Sequence, residues 1–100
     1  MQELKETIES FRRARNWHYE NPGMLSKSII IEAAELLEHF QWGDDNSFNK
    51  EEVEKEIADV LIYTLSLCYH LNLDPKEIIE SKLKEVAIKY PIKDKEYKHE

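Results

Sequence analysis

The chain has 100 residues, of which 41% are hydrophobic and 35% charged, which fits one soluble domain and excludes a disordered chain. Its formal net charge of -7, from 14 basic and 21 acidic side chains, excludes a nucleic-acid polymer as main partner, because such binding is driven by Lys and Arg displacing counterions. No apolar run approaches the roughly 20 residues of a membrane span, MQELKETIES is too polar for a secretory leader, and lone Cys68 permits no internal disulfide, so a cytoplasmic protein with no membrane partner is expected.

Apolar periodicity and end signals predict four helices and no strand, an all-α chain. The first helix is expected over about Gln2 to Trp17, with Leu4, Ile8, Phe11 and Ala14 or Arg15 on one face, and Asn21-Pro22-Gly23 breaks it. The second covers about Leu25 to Gln41 and is apolar around most of its circumference, with Gly43 as its C-terminal stop and GDDNSFN as a short polar loop.

Asn49 is the expected N-cap of the third helix, with Glu52 three residues on in a capping-box arrangement, and the helix continues to about Leu71. From Ile57 onward nearly every turn is apolar on more than one side, the pattern of a helix buried on all faces and in need of neighbours. Asp74 and Pro75 open the fourth helix, which carries Ile78, Ile79, Leu83 and Val86 as its stripe and ends at Tyr90 and Pro91. A domain of residues 1–91 followed by a polar tail of residues 92–100 results.

The chemistry sits in IIIEAAELLEHF and EIADVLIYTLSL. Glu32 with Glu35, and Glu56 with Asp59, are acidic pairs three residues apart, so each pair shares a helix face. Neither stretch contains Lys or Arg, and an ionised carboxylate taken out of water costs several kcal/mol unless it is paired or coordinated. Helices joined by a short loop pack antiparallel, which would bring the two pairs together. A hard divalent cation, Mg2+ first, is the expected counter-charge, since it takes carboxylate oxygens and leaves places for substrate phosphates. A solvated acidic face is the plain alternative, because Glu is a good helix former. A di-iron centre fits less well: it carries Glu-x-x-His, whereas His39 lies four residues after Glu35 and no His follows Glu56 at three. His18, His39, His70 and His99 read as surface or structural residues.

Together, FRRARNW (11–17), NPGMLSKSIIIEAAELLEHFQW (21–42), EIADVLIYTLSL (56–67) and KYP (89–91) give the chain a resemblance to the MazG-like nucleotide pyrophosphohydrolases, in particular the dCTP pyrophosphatase-like branch. Glu32, Glu35, Glu56 and Asp59 fall on that family's Glu-x-x-Glu and Glu-x-x-Asp signature. The resemblance implies a four-helix MazG-like bundle that self-associates as a homodimer or homotetramer. It also implies hydrolysis of a (deoxy)nucleoside triphosphate to monophosphate and pyrophosphate, with Mg2+, or Mn2+ as a substitute, held by the four acids.

Within the same resemblance Glu35, with Glu32 as the other candidate, is the catalytic base. Trp17 and Trp42 match base-contacting tryptophans, and Tyr63 matches a tyrosine near phosphate or sugar. Arg15, Lys82 and Lys89 match basic positions. Val86 stands where many members carry Asn, a departure that weakens the expected contribution of the last helix. The alternative is a non-catalytic helical module that binds nucleotide or metal, or a regulatory partner, keeping the bundle without the chemistry.

Overall fold

A computed structural model describes residues 1–41 and 47–92, and these form four helices with no strand among them: α1 (Gln2–Ala14), α2 (Pro22–Glu38), α3 (Lys50–His70) and α4 (Pro75–Lys89). The expected all-α class holds. Trp42, Gly43 and the tail beyond residue 92 lie outside the described residues.

Local chemistry sets the ends. Helix α1 stops three residues earlier than its periodicity suggests, because Asn16 turns into the left-handed region at φ 60°, which Asn tolerates, and the Trp17 N–H closes back on the Arg12 carbonyl at 2.8 Å. The Asn-Pro-Gly triplet does more than separate two helices. Asn21 is the N-cap of α2, its side chain accepting from the Met24 N–H at 2.9 Å, and Pro22 occupies the first helical position, so α2 begins three residues before the expected start.

At the head of α3 the Asn49 side chain accepts from the Glu52 N–H at 3.1 Å, while the Glu52 carboxylate pairs with Lys55 at 3.3 Å. Asp74 caps α4 by accepting from the N–H groups of Lys76 and Glu77 at 2.9 and 3.4 Å.

Helices α2 and α3 form the main packed pair, and α1 rests on α3. Leu25, near the start of α2, shares a cavity with Ser66 and Tyr69 near the end of α3, while Glu32 and Glu35 meet Glu56, so the pair runs antiparallel. Ile8 of α1 packs with Cys68, Tyr69 and Leu65 of α3, and this small cluster is the core of the chain.

Helix α4 has little contact with the others. Two expectations about burial are therefore corrected. Helix α3 is not covered on all faces, since Ile57, Leu61 and Ile62 are exposed, Leu61 at 53%, and the apolar stripe of α4 is open as well, Leu83 at 61%. On α1 only Ile8 of the expected stripe is buried; Leu4 and Phe11 are exposed. One chain has too few helices to cover these faces.

Candidate metal centre and its surroundings

Helix α2 projects Glu32 and Glu35 from successive turns, and α3 meets them with Glu56. Carboxylate oxygens of the three residues lie within 4.8 Å of one another, all on half-buried side chains. Asp59, one turn beyond Glu56, hydrogen-bonds with Glu32 and adds its charge. The carboxylates are thus half-buried at a helix pair, not fully removed from water as their apolar surroundings in sequence suggested.

Crowding leaves its mark on proton affinity. Partial burial, then the charges of Glu35 and Asp59, hold the Glu32 carboxyl above its usual range. Glu56 is raised too, by partial burial, then by a hydrogen bond with Glu35 and the charges of Glu35, Glu32 and Asp59. None of the four carboxylates has an ion pair with a basic side chain among the described residues. An all-oxygen donor set with clustered negative charge and no cation to offset it suits a hard divalent metal such as Mg2+.

Tyr63, four residues beyond Asp59 on α3, is half-buried. Trp17 lies in the turn after α1 and is 48% exposed, its ring centroid 6.0 Å from that of Phe11 at an interplanar angle of 57°. Arg15 is committed locally: its guanidinium carbon sits 3.5 Å from the Phe11 ring centroid, and Nη1 donates to the Phe11 carbonyl at 3.1 Å. On α4, Lys82 pairs with Glu85 and Lys89 Nζ lies 5.5 Å from the Tyr90 ring. With α4 so lightly packed, the structure does not bring these two lysines to the carboxylates within one chain. Val86 is exposed.

A second feature escaped the sequence reading. A cavity of about 190 Å³ lies between α1, the α1–α2 turn and the end of α3, lined by Ile8, Arg12, His18, Leu25, Ser66 and Tyr69 among others. Arg12 is 8% exposed; its Nη2 donates to the Trp17 carbonyl at 2.9 Å and pairs with the Glu20 carboxylate. His18 Nδ1 and the Tyr69 hydroxyl are buried there without a hydrogen-bond partner among the described residues. Burial, followed by the charges of Cys68, Glu9 and Asp74, pushes the Tyr69 phenol up. The available signal was that Arg12 falls four residues after buried Ile8, on the same helix face.

A helical hairpin presenting Glu-x-x-Glu against Glu-x-x-Asp defines an all-α protein with a carboxylate cluster between two antiparallel helices. Residues 27–100 match the MazG-like family, and the chain belongs to it. It is similar to dCTP pyrophosphatase 1 of Mus musculus, at 25% identity over 101 residues covering 92% of this chain and 59% of the mouse protein. The Homo sapiens dCTP pyrophosphatase 1 is 25% identical over 100 residues, covering 91% and 59%. The chain therefore spans about three fifths of the length of these curated relatives. A crystal structure of a pyrophosphatase from Archaeoglobus fulgidus DSM 4304 superimposes with a TM-score of 0.84 at 45% identity, over 92% of this chain and 93% of that one. No helix among the described residues is long and apolar enough to cross a membrane.

Proposed function

We propose that the chain is a nucleoside triphosphate pyrophosphohydrolase, converting dCTP or a related or modified (deoxy)nucleotide to the monophosphate and pyrophosphate in the cytosol, with Mg2+ as its metal and Mn2+ as a substitute. The observation that carries this reading is the convergence of Glu32, Glu35 and Glu56, with Asp59 alongside, where no basic side chain among the described residues pairs with them. The names of the relatives agree with it.

A divalent cation held by these four residues would neutralise charge on the phosphate oxygens. The chain's own residues do the rest. Glu35 accepts the proton of the attacking water, whose oxygen bonds to the α-phosphorus as the bond to the bridging oxygen breaks and pyrophosphate leaves. Trp17 offers an indole face to the base, a contact worth about 1 to 3 kcal/mol, and Trp42 is assigned the same role. Tyr63 donates its hydroxyl to phosphate or sugar, and Arg15, Lys82 and Lys89 supply positive charge toward the triphosphate.

Self-association as a homodimer or homotetramer belongs to this reading. Exposed Leu61, Ile62, Ile78, Ile79 and Leu83 support it, because they are apolar side chains on α3 and α4 that a second copy of the chain would cover.

The decisive experiment incubates the purified chain with a panel of nucleoside triphosphates, with Mg2+ or with chelator, and separates the products by ion-exchange chromatography. Monophosphate with pyrophosphate, formed only with Mg2+, is expected. No product from any nucleotide would reject hydrolysis in favour of a binding module.

A further inference from the structure

Arg12 grips both backbone groups of Trp17. Its carbonyl accepts from the Trp17 N–H at 2.8 Å, and its guanidinium Nη2 donates to the Trp17 carbonyl at 2.9 Å. The same Nη2 pairs with Glu20 from the far side of the turn, on a side chain that is itself only 26% exposed. Residues 15–20 are thereby closed into a loop that starts at left-handed Asn16 and ends one residue before the N-cap of α2. The Trp17 carbonyl also accepts from the Glu20 N–H at 3.2 Å, while the indole is half exposed and touches Phe11 only at a tilt, and Phe11 is exposed in turn.

A stacking platform is useful only if it is already in place before the base arrives, since ordering a mobile turn subtracts from the affinity. We infer that Arg12 is the positioning residue of this chain's base platform: through its guanidinium bonds to the Trp17 carbonyl and to Glu20 it holds the turn that carries the indole in place for the nucleobase without touching the substrate itself. This assignment rests on the proposed role of Trp17. A buried guanidinium suits the task, because its planar fork can hold a carbonyl and a carboxylate together, and it loses less freedom per bond than an ammonium would.

The test is a double-mutant cycle read as the affinity of a non-hydrolysable α,β-imido dCTP, measured by calorimetry on the full chain with Mg2+. Arg12→Met, which keeps the apolar stem, is expected to weaken binding about tenfold, as is Trp17→Ala, and the double variant is expected to bind no more weakly than Trp17→Ala alone. Arg12→Lys, which keeps the positive charge and several N–H donors on one nitrogen, should recover to within about threefold of the parent chain, and it keeps the question open to measurement if Arg12→Met fails to fold. In pyrophosphate release, Arg12→Met should raise KM with kcat within about twofold of the parent.

A variant that merely lost folded molecules would lower kcat at constant KM and would overturn the assignment. So would additive effects in the cycle, which mean that Arg12 meets the nucleotide directly. If Trp17→Ala binds as the parent does, the platform and the assignment fall together while hydrolysis stands. Analogue binding with the expected cycle but no pyrophosphate release rejects the enzymatic reading and leaves the Arg12 assignment intact.

Discussion

Asp59 on α3 reaches Glu32 on α2, and its carboxylate is one of the neighbours that hold the Glu32 carboxyl above its usual range. With Glu35 and Glu56 beside them, negative charge crowds into one place on the helix pair, and Glu32 and Glu56 are both held above the usual carboxylate range.

The pH dependence of the metal-free chain follows from the sign of these shifts. Glu32 and Glu56 are raised in the fold, so between the ordinary carboxylate value and the raised one the folded chain binds more protons than the unfolded chain. The penalty is present in full at neutral pH and is relieved as pH falls through that window. The melting temperature in chelator should therefore rise modestly from about pH 7 to about pH 5. Excess Mg2+ or Mn2+ should raise it at pH 7 and flatten or invert the slope, since the cation replaces the protons. A chelated chain that melts lower at each step toward pH 5 would contradict the crowding.

Neutralising single carboxylates should separate stability from turnover. Glu35→Gln is expected to lower kcat by roughly 10² to 10⁴ while circular dichroism shows the helices unchanged. Asp59→Asn should remove turnover and weaken Mg2+ binding, yet raise the melting temperature in chelator because it takes a charge away from Glu32. Retained turnover in either variant would reject the assigned roles.

Self-association has a direct readout. Light scattering at micromolar concentration should give a mass at least twice the 12.0 kDa of one chain, and the melting temperature should rise with protein concentration. Leu61→Asp, on the open face of α3, should shift the distribution toward monomer and destabilise the chain. A monomer at all concentrations would leave the exposed stripes of α3 and α4 without their proposed cover.

Helix α4 should depend on its cap. Asp74 serves two N–H groups at once, so Asp74→Ala is expected to cost about 1 kcal/mol, read from the urea midpoint at fixed protein concentration. Asp74→Ser should recover most of it.

Much of the fold was legible because its signals are local. Asn49 and Asp74 announce their helices by residue type, and both cap as expected. The three-residue acidic spacing was enough to place Glu32 with Glu35 and Glu56 with Asp59 on common faces, and the short connection to bring α2 against α3. The boundary of α1 was misread because Trp17 extends the apolar pattern past the point where Asn16 has already reversed the backbone. The Pro22 start of α2 was hidden by reading a helix-opening triplet as a breaker alone. Arg12 went unnoticed for a different reason: its partner Glu20 arrives from beyond the turn, and no periodicity within α1 encodes that meeting. Burial was overestimated along α3, since an apolar sequence specifies a demand for cover without saying which molecule supplies it.

Because all four acids lie on α2 and α3, the cage needs only one helical hairpin to close. Contacts between neighbouring helices form early in folding, ahead of those that require distant segments to meet. On the proposed reading, a chain whose α1 has not yet docked would therefore already be competent to capture a divalent ion, and ion capture would itself help zip the hairpin before α1 settles against it.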